Sequence, residues 1–479
     1  MNRIEHIVLF ALVTLGLPIV SVAEVSFVRQ IAPILNVRCI GCHGERTNLG
    51  RYRAQTFRNL MMTGTSGKAP IIAGKPDESK LYQLISTHSV QDRMPKGDDS
   101  LSNEQLSTFR KWISEGAKFD GSDQNASLKT LLGARVHPAS PGVYSAPVPI
   151  MAIAFSPNGS QIFSSGYHEV LVWDAISGRL MQRIDRLPER IQAIQFSPDG
   201  SRLLVAGGMP GEYGEVFIIN SADTSKRILL GRFNDIVLSA VFSHDGKNVV
   251  AGGADMNVRC FSTESGKQVW STKVHSDTVN AVAISDDGEF VVSASKDMTV
   301  KVMRAHDGEL YTTYSGHNRQ LGEYRGSSPV YSIGFLPGTH LAYSGGGGRW
   351  IQIWDPVQAK AESGDAGDME ERFAKQGTTR YLEHKLDKDI LKLVLSPTRV
   401  FISSANGLVR EYDISSMQEV RQYDPLNDWA FGLAFHQSTQ RLAAGSFRGQ
   451  IKIWDANTGR ELISFIGCPS VKSPKRKKY

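Results

Sequence analysis

At 479 residues, with 41% hydrophobic and 21% charged side chains, the chain is too long for one ordinary domain and too evenly mixed for a low-complexity one. Its formal net charge of +6 gathers at one end, where Lys472, Lys475, Arg476, Lys477 and Lys478 supply +5 and leave the rest near +1. That reads as a solvated, disordered basic tail over 469–479 and excludes a nucleic-acid-binding body.

The first 23 residues have the three-part layout of a secretory signal. Arg3 gives a positive start, Ile7 to Val20 is an uncharged apolar run, and Ser21-Val22-Ala23 is a small-residue cleavage site. A bilayer span needs about 20 apolar residues, and this run is shorter. Cleavage after Ala23 is therefore expected, leaving an exported, periplasmic protein with no integral membrane segment.

Helical spacing follows in Phe27, Ile31, Ile34 and Leu35, interrupted at Pro33. Next comes Cys39-Ile40-Gly41-Cys42-His43. Two thiols three residues apart lie on one side of a helical turn, where they can add to the two vinyl groups on one edge of a haem. The adjoining imidazole of His43 then comes under the iron. A zinc site would need two further Cys or His, and the next histidine, His88, has no neighbouring partner. A thioredoxin-like pair would follow a strand, whereas the preceding segment has helical spacing.

The second axial ligand is expected from Met94 in Arg93-Met94-Pro95-Lys96-Gly97, with His88 as the alternative. Pro95 pushes the residue before it towards an extended backbone, which suits a loop presenting a thioether. Ser102 and Gln105 then make a capping box, Leu106, Phe109 and Ile113 an apolar stripe, and Gly116 a stop. This helix is expected to cross the first one and close the pocket. Arg51 and Arg53 are candidates for pairing with haem propionates. Met61 and Met62 are expected in the core. An iron with His and Met on both sides has no open position for substrate, which favours electron transfer over catalysis.

These residues carry a resemblance. Ile31-Ala32-Pro33-Ile34-Leu35, the Cys39 to Gly44 run, Gly50 to Thr56, Ile71 to Pro76, Ser79, Leu81, His88, Met94-Pro95 and Trp112 to Ala117 together resemble the planctomycete-type cytochrome c domain family. The likeness covers about residues 25–120. It implies one covalent haem c, with Cys39 and Cys42 as attachment points and His43 and Met94 as iron ligands. It also implies a small all-α, class I-like cytochrome c fold over 24–120. A single proline follows Met94 where many relatives have two.

A linker rich in Ser, Pro and Gly is expected over 121–142. From about Val143 the chain repeats: a strand ending in Phe-Ser-Pro-Asp-Gly or a variant, an apolar strand, a strand ending in Trp-Asp, then a turn with Gly. The positions equivalent to Phe155 are Phe196, Phe242, Ile284, Phe335, Leu395 and Phe435, at spacings of 41, 46, 42, 51, 60 and 40. A period near 40–45 with four strands is the mark of a WD-type propeller blade, so 143–468 is expected to form an all-β seven-bladed propeller. The long spacings place insertions at Asn318 to Ser328 and at the acidic Val357 to Gly377. Gly345 to Gly348 lies between strands and is expected as a tight turn, not a phosphate loop. Glu461 to Ile466 already supplies an outer strand to the last blade, so the manner of ring closure stays open.

The primary functional expectation is an exported electron carrier, not a catalyst, whose propeller docks a redox partner protein. A haem-linked oxidoreductase with its substrate site in the propeller, and a redox-sensing scaffold, are the alternatives. The binding face is expected to collect Tyr213, Arg319, Tyr324, Arg325, Arg349, Trp350 and Trp429, because aromatic and arginine side chains concentrate binding energy.

Overall fold

The structure, a computed structural model, describes residues 25–44, 49–121, 123–132, 137–318, 328–363, 380–381 and 386–469. The expected signal segment, the basic tail from 470 onward, and most of both propeller insertions lie outside them. Two compact units divide between Arg135 and Val136.

In the first unit, Ser26 accepts a hydrogen bond from the Arg29 amide and opens a wide turn over Phe27–Ile31. That turn runs directly into α1 (Ala32–Arg38). Pro33 sits in the first turn of α1, where a missing N–H costs nothing, so it starts this helix instead of interrupting one. Helices α2 (Phe57–Leu60), α3 (Lys80–Ser86) and α4 (Asn103–Ser114) follow. The capping box at α4 is formed: Ser102 Oγ accepts from the Gln105 amide, and the Gln105 side chain accepts from the Ser102 amide. All these elements turn their apolar sides onto one cluster built around Phe27, Leu35, Phe57, Phe109, Trp112 and Ile113. Trp112 lies 5.6 Å from Phe27, ring to ring, and its indole N–H donates to the Lys118 carbonyl. Met61 packs on this cluster, while Met62 is exposed. A last helix, α5 (Leu128–Leu131), adds the buried Leu128 to the same core.

The second unit is seven four-stranded antiparallel sheets, each made from four consecutive strands. Their inner strands are Ile153–Phe155, Arg190–Phe196, Val237–Phe242, Val279–Ile284, Val330–Phe335, Ile390–Leu395 and Ala430–His436. The second strand of each blade is buried over nearly its whole length, as Phe290–Ser295 is, and its residues are mostly aliphatic or small. The outermost strand of blade seven, Glu461–Ile466, instead alternates between half-buried and exposed, as an edge should. Buried polar ties recur along the propeller: Trp173 Nε1 donates to Ser164 Oγ, His275 bridges Asp297 and Ser293, and His317 Nε2 meets Ser344 Oγ at 2.8 Å. These bonds satisfy buried polar groups that would otherwise cost stability. Gly347 and Gly348 form the turn between two strands of blade five. The acidic insertion lies between the third and fourth strands of blade five and begins as a helix, Pro356–Ser363.

Blade seven takes all four strands from its own stretch of chain, so the ring closes without strand exchange. Closure comes from side-chain packing and a few bonds. Ile150 is fully buried and its amide donates to Ser446, while Ile153, Phe155 and Trp173 of blade one share a cluster with Ala443, Ile451 and Ile453 of blade seven. The end of the segment expected as a linker is bound to the blades. His137 Nε2 lies 2.6 Å from a Glu215 carboxylate oxygen, Tyr144 donates to Glu169, and Arg183 joins Glu169 to the carbonyls of Pro141 and Gly142.

Candidate functional site

Helix α1 ends where Cys39 leaves helical geometry, although its amide still donates to Leu35. The chain then tightens: the amides of Cys42 and His43 both donate to the Cys39 carbonyl, at 3.2 and 2.9 Å. One turn therefore carries both thiols and the imidazole. The Ala54 amide donates to the His43 carbonyl and pins the turn from outside. A Cβ at Gly44 would collide with the Ile40 carbonyl oxygen, so this turn requires glycine directly after the histidine.

Cys39 and Cys42 are free thiols, the first half-buried against the core and the second exposed. Burial pushes the Cys39 thiol up to about 12, with Arg38 opposing the rise and Cys42 adding to it. Tyr52 stands edge-on to His43, with ring centres 5.4 Å apart, and its hydroxyl donates to the Leu60 carbonyl. Burial, and then the neighbouring Cys39, raise that hydroxyl well above the usual tyrosine value. His43 Nδ1 is buried and has no hydrogen-bond partner among the described residues. Buried polar atoms are nearly always partnered, so an orphaned ring nitrogen marks a group whose environment is incomplete without another molecule.

Met94 is half-buried and packs on the same core as Cys39; its amide donates to the Leu84 carbonyl of α3. His88, just past α3, is exposed, and so are Arg51 and Arg53. The structure thus brings Cys39, Cys42 and His43 onto one turn and Met94 onto the adjoining core, and leaves His88 and Arg53 at the surface. Unpaired thiols, an orphaned imidazole and a half-buried thioether on one core are a donor set that fits a c-type haem. Tyr52 was not among the expected site residues. The signal available for it was an aromatic between Arg51 and Arg53, nine positions past His43.

The propeller residues expected at a binding face separate into distinct environments. Tyr213 is buried, and its hydroxyl accepts from the Glu189 amide, so it belongs to the fold. Arg319, Tyr324 and Arg325 lie outside the described residues. Trp350 is half-buried. Trp429 is 51% exposed and clusters with Phe431 and the 50% exposed Phe447. Arg349 lies 3.5 Å from Asp389 and lines a cavity of about 700 Å³ on the ring axis.

Each blade sends at least its inner-strand residue to that cavity: Met151, Gln192, Leu238, Asn280, Tyr331, Leu391 and Phe431. In blades two to seven each of these residues is skipped in the pairing of the inner strand, at a bulge that recurs in all six. A bulge leaves one residue unpaired and re-aims its side chain, and here the repeat of that device builds the mouth of the axial channel. Elsewhere, Asp287, Glu289 and His340 come within metal-ligating reach of one another, but the two acids are exposed and His340 already meets Asp287 at 2.6 Å.

Among the described residues no helix is long and apolar enough to cross a membrane. Three family models match the chain. One described as Planctomycete cytochrome C matches residues 39–98, one described as WD domain, G-beta repeat matches 141–174, and one described as Outer membrane protein assembly factor BamB matches 221–465. Among solved structures, the crystal structure of the computationally designed Ika8 protein is similar at a TM-score of 0.49 and 22% identity, over 68% of this chain and 89% of its own. Compared with curated proteins, the chain matches none.

Proposed function

The chain belongs, through the repeats that make up just over half of it, to the family described as outer membrane protein assembly factor BamB, and it carries a planctomycete cytochrome C domain ahead of them; from that premise we propose that it is an exported electron-transfer protein holding one haem c. The assembly role in that description is the namesake's. A shared ring of blades does not transfer a function, which lives in particular sites.

The observation that carries the reading is the half-buried His43 imidazole, whose buried Nδ1 is orphaned, on the same turn as two unpaired thiols. In this reading Cys39 and Cys42 would hold the group covalently, and His43 and Met94 would ligate its iron. Held by these residues, a haem c would supply one-electron transfer, with both ligand positions taken by the chain and none left for substrate. The chain's own residues do the rest. Tyr52, tied to Leu60, backs the His43 ring, the Ala54 amide fixes the turn, and the core around Trp112 keeps water from the inner side. Arg53 stands at the surface, where it can reach a propionate. The signal peptide over 1–23 delivers the chain to the periplasm, where such attachment occurs, and the propeller docks the redox partner protein.

Exchanging the sixth ligand tests this reading. Met94→Ala is expected to open the iron to added imidazole and to lower the reduction potential, while His88→Ala leaves the low-spin spectrum intact. The opposite pattern moves the ligand role to His88. A high-spin spectrum in the unaltered protein, with imidazole binding freely, would contradict electron transfer as the role.

A further inference from the structure

The residue that follows each channel-lining position is small in six blades: Ala152, Ala193, Ser239, Ala281, Ser332 and Gly432. Small side chains suit a position packed against the next blade, where Ser239 Oγ accepts from the Val282 amide and Ser332 Oγ from the Leu393 amide. In blade six the equivalent residue is Lys392, paired opposite Ser403 by the same register. No packing reason calls for a lysine there, since its six counterparts close the ring without one.

Lys392 lines the axial cavity, and among the described residues its ammonium has no hydrogen-bond or ion-pair partner. Desolvation lowers its pKa, because an ammonium taken from water without a counter-charge is destabilised. The other charged side chains lining the cavity are Arg349, Lys388 and Asp389. Asp389 stands beside Arg349 at 3.5 Å, so the lining keeps an excess of two positive charges. At about 700 Å³ the cavity lies within the range of small-molecule sites, roughly 300–1,000 Å³. Its walls are mainly apolar and aromatic, with Tyr331, Phe431 and Trp429 among them, and Gln192 and Asn280 add amides.

We propose that the axial cavity is a binding site for a small organic anion, whose carboxylate is held by Lys392 while its apolar part rests on the aromatic wall. A carboxylate supplies the counter-charge that Lys392 lacks and forms a charge-assisted hydrogen bond with it. Lys388, at the same mouth, adds long-range attraction. The site belongs to the propeller alone and does not rest on the haem reading.

The test uses the full-length exported protein, titrated with benzoate, succinate, citrate and a hexaglutamate peptide by thermal shift and calorimetry. Saturable binding of at least one small carboxylate is expected, weakened tenfold or more by Lys392→Met and unchanged by Lys267→Ala, an exposed turn lysine. Lys392→Met removes a desolvated charge and keeps the length of the side chain. It is therefore expected to fold with an equal or higher melting temperature in the absence of ligand. The proposal is overturned if none of the three carboxylates binds saturably below about 10 mM, or if binding survives Lys392→Met. It is also overturned if only hexaglutamate binds through Lys392, which would make the cavity a docking point for an acidic protein segment.

Discussion

The helical unit buries its apolar side chains in one cluster around Trp112, whereas the propeller spreads its own over a series of sheet-to-sheet contacts between neighbouring blades. In the first, every helix meets the same few aromatic rings, and Cys39 and Met94 rest on that same cluster. In the second, each blade touches only its neighbours, and the axial cavity is lined from all seven blades. The helical unit therefore joins stability and the proposed cofactor site in one set of residues. The ring separates them, so its axis can carry a lysine that no blade core needs.

The largest effect that sharpens this contrast is expected from Trp112→Ala. Removing a buried Trp costs about 3–5 kcal/mol, enough to unfold a small single-core unit while the propeller melts as before. Calorimetry should show one transition lost and one kept; a shift of both would mean that the cores are not separate. Ile150→Ala comes next. It empties the closure between blades one and seven, and about 2–4 kcal/mol should be lost from the propeller transition alone. Because no exchanged strand backs this contact, denaturant titration should find a clear drop in midpoint, and an unchanged midpoint would refute closure by packing.

The third effect depends on pH. Burial holds His317 down at about 3 from its ordinary 6.5, so the folded state resists a proton that the unfolded chain accepts. Its contribution is full above about 6.5 and is lost as pH falls towards 3, at about 1.4 kcal/mol per pH unit for one proton. Stability measured at pH 7 and 4.5 should fall less steeply in His317→Gln than in the unaltered protein; equal slopes would exclude the buried neutral imidazole. The smallest effect belongs to the strand-end turns. Hydrogen bonds from Ser415, then Ser416, hold the Asp413 carboxyl down at about 2, below its ordinary 3.8. A depressed carboxyl contributes above its unfolded value and loses that contribution as pH falls through the folded one. Asp413→Asn should therefore change stability slightly at pH 7 and not at all near pH 2.

Local signals were the readable ones. The capping box at Ser102, the turn carrying Cys39 to His43, and the seven inner strands ending near Phe155 and its equivalents are all set within a few residues, so spacing announces them. Tyr52 was not legible, because it meets His43 only through a fold-back pinned by the Ala54 amide. Tyr213 looked like a surface aromatic beside a glycine turn, yet its strand carries it into the fold. The axial ring was hidden for another reason. Its residues sit at bulges, which shift the two-residue period just where side-chain direction matters. Lys392 could still have been found by aligning the blades and asking which inner-strand position is small everywhere but once.

The central claim, that Cys39, Cys42 and His43 hold one haem c in an exported protein, is tested most directly by the intact mass of the chain recovered from the periplasm after denaturation. The account predicts a chain beginning at Glu24 that carries the mass of one haem, reduced to the bare polypeptide in a Cys39→Ser, Cys42→Ser variant. A bare polypeptide from the unaltered protein, or haem retained covalently by the double variant, would contradict it.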